Sequence, residues 1–252
     1  MRWRLTPDRF LALWTATGLD EIPFPLRYRS TALWEDEHAA NLEAAHRWRR
    51  TNPDERLTAA IATMRYAEVA VEVYGQFSEG SELRLRGCIR HDSAVLARQD
   101  PGRPGDLVVT ATAAHTLAEA VVQCLPGAPP GTAPALSAPT AEVAEFARPT
   151  QVLRTAQAPP AVRLRRLLTD PRSGTGSVRV LCSPDGLNFT PVTDLGWFDV
   201  AGDGRYLFRT GHHTHVCPAT PELLRDELAY AVDEAREKRG RVGAAGLRWV
   251  HG

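Results

Sequence analysis

Lysine is almost missing from this chain: of 30 Lys and Arg residues, Lys238 is the only lysine. Together with the abundance of Ala and Pro, that points to a GC-rich genome, an inference about codons rather than physics. Net charge is also absent, because 30 acidic residues balance the 30 basic ones. With a pI near 7.1, the chain has no general pull toward nucleic acid or an anionic membrane. No apolar run approaches the roughly 18 residues of a transmembrane helix. The N-terminal MRWRLTPDRFLALW is interrupted by charge and lacks a signal-peptide pattern, so a cytoplasmic location is expected. The four cysteines, Cys88, Cys124, Cys182 and Cys217, form no CxxC pair and no zinc spacing. They read as reduced, mostly buried thiols. There is no GxSxG, HExxH, GxGxxG or Gly-Lys-Ser/Thr, which removes the common nucleophile, zinc-protease, dinucleotide and P-loop readings.

What is present is an ordinary globular composition, 43% hydrophobic and 24% charged over 252 residues. That length gives ample core for one large domain or two small ones. Arg2 to Leu5 suits a short strand. Thr6 and Asp8 can cap a helix to about Thr17, closed by Gly18. Ile22 to Arg29 is extended and broken by Pro. Thr31 is a candidate N-cap for a helix over Trp34 to Arg50, and Asn52-Pro53-Asp54 opens another carrying Leu57, Ile61 and Met64 at helical spacing.

From Glu68 the period becomes two. Val69, Val71 and Val73, then Leu83 and Leu85, then Ser93 to Arg98 and Leu107 to Thr112, predict a four-strand meander. A helix follows over Thr116 to Leu125. Residues 126–139, PGAPPGTAPALSAP, read as a linker. Helices are expected over Thr140 to Arg148 and Pro160 to Thr169. Further strands are expected at Ser177 to Cys182, Trp197 to Val200, Tyr206 to Thr210 and Thr214 to Cys217. A final helix spans Pro221 to Glu237, with a mobile tail over 239–252. The halves 1–125 and 140–238 thus share a plan, and the adjacent hairpins favour an antiparallel α+β fold.

Candidate chemistry is sparse. His213 and His215 would share one strand face, as metal ligands do. No further His or paired carboxylate lies near them, and they read as polar residues of an exposed edge strand. Ser173-Gly174-Thr175-Gly176-Ser177 precedes a strand rather than opening a helix, so it reads as a loop and not a phosphate cradle. Arg47/Arg49/Arg50 and Arg163/Arg165/Arg166 fit solvated helix faces. No catalytic residues, metal or cofactor are expected.

The stretch Asp194 to Thr210, DLGWFDVAGDGRYLFRT, is a hairpin with Asp203-Gly204 at its turn. Followed by THVCPATPELLRDEL, it resembles the C-terminal part of the EspG family of actinobacterial ESX (type VII) secretion proteins. There a Gly-rich loop, a strand, a D-x-x-D-G-R-Y hairpin, a strand and a Pro-begun helix occur in this order. Pro25-Leu26, Ser30 to Glu37 and Asn52-Pro53-Asp54 extend the likeness into the first half. The resemblance implies a single domain over 1–252: a central antiparallel sheet flanked by helical bundles, arranged as two pseudo-twofold halves. It implies a non-enzymatic cytosolic chaperone that caps the apolar tip of a helical substrate, a PE–PPE heterodimer or related hairpin protein, for export. Such a tip is an aggregation hazard, and capping removes it. The matching contact loop is Phe77, Ser78, Glu79, Gly80, Ser81 and Glu82. Phe77 is its apolar anchor, and Glu79 and Glu82 are free to meet basic partner residues or solvent. The second-half helices are the other contact region. Free strand edges would permit a homodimer. The alternatives are a metal protein or enzyme built on His212, His213, His215 and a thiol, and an interaction scaffold without a secretion client.

Overall fold

The computed structural model describes residues 1–102, 105–145 and 158–247. In chain order the first half contains β1 (Arg2–Leu5), α1 (Pro7–Thr15), α2 (Glu35–Thr51), α3 (Glu55–Arg65), β2 (Val69–Phe77), β3 (Glu82–Arg90), β4 (Ser93–Gln99), β5 (Leu107–Ala113) and α4 (Leu117–Val122). The second contains β6 (Leu136–Pro139), α5 (Thr140–Glu145), α6 (Pro160–Thr169), β7 (Arg172–Cys182), β8 (Thr190–Val200), β9 (Arg205–Thr210), β10 (His213–Pro218) and α7 (Pro221–Leu247).

All ten strands form one sheet in the order β1-β5-β4-β3-β2-β7-β8-β9-β10-β6, and every neighbouring pair is antiparallel. The halves meet at the central β2–β7 pair. Outward from it, each half runs through its four-strand meander and ends on its own first strand.

Alternation along the strands sends apolar side chains to both faces. One face carries Val69, Val71, Val73, Leu85, Val178, Val180 and Trp197, and is roofed by Leu117 and Val121 of α4 and by Leu224, Leu228 and Val232 of α7. On the other face, α1 and α3 cover Cys88, Val95 and Val109 of the first half. There, α6 covers Phe198 and Tyr206 of the second half. Between these two bundles the sheet is polar. Arg86 and Glu72 pair at 2.7 Å, both almost fully buried, and Arg86 also donates to the Phe24 carbonyl at 2.7 Å.

The expected caps are present where side chain and spacing agree. Thr6 accepts from the Arg9 N–H and Asp54 from the Leu57 N–H, each satisfying an orphan donor of a first turn. Thr31 does not cap α2. That helix starts after Trp34, with no side-chain cap.

Four further readings are revised. The Gly-rich segment at 173–177 belongs to strand β7. Its glycines make room for neighbouring rings rather than for a turn: a Cβ on Gly176 would lie 2.2 Å from the Trp197 ring. Residues 136–139, the end of the linker, form the edge strand β6. A proline-bearing strand is tolerated at an edge, where no donor is missed. The His-bearing strand β10 is therefore not at the edge, being paired on both sides. The final helix runs past Glu237 to Leu247, well into the stretch expected to be a mobile tail, and 248–252 lie outside the described residues. The expected helix end at Arg148 also lies outside them.

Candidate functional site

At one end of the sheet, three hairpin turns and the linker converge. The β2–β3 turn is the candidate contact loop, and the structure forms it where strand counting predicts. Phe77 N–H donates to the Ser81 carbonyl and Gly80 N–H to the Phe77 carbonyl. Gly80 sits at φ +83°, the left-handed conformation that closes a three-residue hairpin loop. Ser78, Glu79 and Gly80 are exposed, while Phe77 is half-buried. The Phe77 ring packs over Gly174, where a Cβ would meet Phe77 Cδ1 at 2.6 Å. It is thus a wall of a cleft of about 360 Å³, completed by Pro126–Pro129, Asp199 and Gly202–Gly204.

The two carboxylates of the loop differ. Glu79 is exposed and accepts from the Ser81 hydroxyl at 2.6 Å; that bond first, and then one from its own main-chain N–H, hold its carboxyl below the ordinary value. Glu82 is already engaged. It accepts from Arg27 at 2.7 Å, from Arg84 at 3.0 Å and from the Tyr74 hydroxyl at 3.1 Å. Burial pushes its pKa up, but the Arg84 and Tyr74 hydrogen bonds and the adjacent positive charge outweigh that and leave it lowered.

The neighbouring β8–β9 hairpin carries Asp199, Asp203, Gly204, Arg205 and Tyr206, with three residues between the two aspartates where the family pattern has two, and each has a structural partner. Asp199 and Arg205, both nearly fully buried, pair in a bidentate arrangement at 2.7 and 2.9 Å. Asp203 accepts from the Tyr206 hydroxyl at 2.5 Å and from the Thr132 N–H at 2.9 Å. The same tyrosine oxygen accepts from the Ala133 N–H at 2.8 Å. The main chain of Arg205 bonds Pro129 and Gly131. The motif therefore clamps the linker against β9. The positive φ of the turn falls on Gly202, at +78°, and not on Asp203-Gly204. Gly204 serves a close approach instead, since a Cβ there would lie 2.6 Å from the Pro129 and Pro130 carbonyl oxygens.

The other candidates do not assemble a reactive centre. His213 and His215 do share a face, with ring centroids 6.0 Å apart, but among the described residues no group of three His, Cys, Asp or Glu could hold a metal. All four cysteines are free. Burial pushes the Cys88, Cys124 and Cys217 thiols up, away from the thiolate form a nucleophile needs. Among the described residues no helix is long and apolar enough to cross a membrane.

No curated protein matches the chain. Among solved structures, the Mycobacterium tuberculosis type VII secretion system chaperone EspG5, in complex with the PE25-PPE41 dimer, is similar at 16% identity and a TM-score of 0.65. The match covers 94% of this chain and 96% of that one. The fold is thus shared nearly end to end, whereas so low an identity carries no residue roles across. The EspG family model matches residues 6–230, and the chain therefore belongs to the EspG family.

Proposed function

We propose that this protein is a cytoplasmic chaperone or adaptor of type VII (ESX) secretion, which binds the apolar tip of a PE–PPE heterodimer or a related helical-hairpin substrate and holds it soluble for export. The observation that carries this reading is family membership over 225 residues, 6–230, joined to a fold shared nearly end to end with a chaperone seen holding a PE–PPE dimer. The client contacts are the turn Phe77–Glu82 and the helices of the second half. Phe77 serves as a cleft wall, and Glu79 is the loop carboxylate left open to a partner. The matching strand order of the two halves supports their reading as pseudo-repeats, 1–125 and 140–238, within one domain.

Co-expression with helical ESX substrates of the source organism, followed by size-exclusion chromatography, tests the reading. A stoichiometric complex is expected. Failure of every such substrate to co-elute would overturn it.

A further inference from the structure

Beside the β2–β3 turn lies a second, more polar pocket of about 350 Å³. Its walls are the turn itself at Gly80–Glu82, the segment around Arg27 and Arg29, Arg84 of β3, and the β4–β5 turn at Asp100–Gly102. Its charge is unbalanced, although the chain as a whole is neutral. Glu82 serves both Arg27 and Arg84. Asp100 already takes Arg4 at 2.5 Å and Arg98 at 3.0 Å, and Asp106 adds a second contact to Arg4. Of the charged residues that line the pocket, three guanidiniums, Arg27, Arg29 and Arg84, thus stand against two carboxylates, Glu82 and Asp100, both already engaged, and among the described residues Arg29 has no partner. The crowding registers on Arg27, whose pKa is lowered first by burial and then by Arg84, with Arg29 adding to it. Positive charge gathered around a polar hollow attracts a compact anion, and guanidiniums match a carboxylate in geometry.

We propose that this pocket takes an acidic side chain of the bound helical client, with Arg29 as the open donor and Arg27 and Arg84 as the pre-positioned backing. The inference rests on the chaperone reading and deepens it. The apolar tip would supply affinity, and one carboxylate placed beside the β2–β3 turn would fix the client's register. Arg27 and Arg84 are held in place by Glu82 and, for Arg84, by the Pro25 carbonyl at 2.6 Å and the Tyr74 ring at 4.8 Å. Only Arg29 must be ordered on binding, which keeps the entropic cost small.

The test uses the full chain and the helical heterodimer that the wild-type protein retains on size exclusion. Arg29→Ala should weaken binding about fivefold and Arg29→Glu at least about twentyfold, with a shallower salt dependence between 50 and 300 mM NaCl in both, as rim charges behave. A client with its acidic residue replaced by Lys should restore binding to Arg29→Glu. Thermal midpoints should stay unchanged, because Arg29 is exposed and unpaired. Arg29→Glu binding within twofold of wild type, with the same salt slope, would overturn the inference while leaving the chaperone reading intact. If no client is retained at all, the chaperone reading fails instead. The pocket is then probed with glutarate, following the Arg Nε–Hε NMR signals. Joint movement of the Arg27, Arg29 and Arg84 signals, abolished in Arg29→Glu, supports an anion site. No movement at 50 mM glutarate refutes it.

Discussion

Removing the Asp199 carboxylate should be among the most damaging single changes available in the β8–β9 hairpin. Asp199 is 6% exposed and Arg205 4%, and the two are joined through both carboxylate oxygens. In Asp199→Ala the guanidinium stays buried with nothing to answer its charge, a situation that costs about 3–5 kcal/mol. For a chain of this size, each kcal/mol moves the melting point by about 2–4 °C, so a fall on the order of 6–20 °C is expected. The effect should reach beyond the hairpin, because the Arg205 main chain holds Pro129 and Gly131 of the linker and also accepts from the Ala219 N–H at the entrance to α7. Urea unfolding followed by Trp fluorescence measures the loss, and limited proteolysis reports whether 126–135 opens. The double variant Asp199→Leu/Arg205→Met removes both charges and should recover most of the stability. An Asp199→Ala protein within about 1 kcal/mol of wild type, or a double variant no better than the single, would refute the claim that charge burial governs this corner.

Gly176→Ala forces a methyl to within 2.2 Å of the Trp197 ring and 2.5 Å of the Tyr74 carbonyl oxygen; overpacking of this kind costs about 1–3 kcal/mol, and an unchanged urea midpoint would contradict it. Tyr28 is pushed up to about 12 from the usual 10.0, by burial first and then by its hydrogen bond to Asp8. A raised folded value means its contribution is complete below pH 10 and is lost as pH climbs through 12, so wild type should lose stability more steeply over that range than Tyr28→Phe, and parallel curves would count against the bond. With a thiol reagent at pH 8, Cys88 and Cys182 should stay silent until unfolding and Cys124 and Cys217 should react slowly, since the first two are buried and the others half-buried; rapid native labelling of Cys88 would show that its strand opens.

The meander of the first half was legible because Val69, Val71 and Val73 alternate with smaller or polar residues, and because each turn carries Gly, Pro or Asp. That is the period-two signal of a sheet covered on both sides by different partners. Strand β7 was only half legible. Its first residues, Arg172–Ser177, look like a flexible loop by composition, yet Gly174 and Gly176 are small because the Phe77 and Trp197 rings lie over them. Phe77 comes from a strand far back in the chain and Trp197 from the strand after β7, so no local window contains the reason. The edge strand β6 was hidden in the same way: Leu136–Pro139 acquires its hydrogen bonds from β10, some 75 residues on.

The same logic separates what identifies this protein from what lets it bind. Asp199, Asp203, Arg205 and Tyr206 form a readable motif because their partners are each other and the adjoining linker, a closed set of mutual constraints in which each residue type is dictated by its neighbour. A client surface is under no such closure. In the proposed client surface Phe77 walls a cleft, Glu79 is exposed, and Arg27, Arg29 and Arg84 meet only through the fold, so their spacing in sequence carries no pattern. The family was therefore written in the residues that hold the linker down. The surface that would meet a client emerges only once β3, the segment before α2 and the β4–β5 turn are brought to the same end of the sheet.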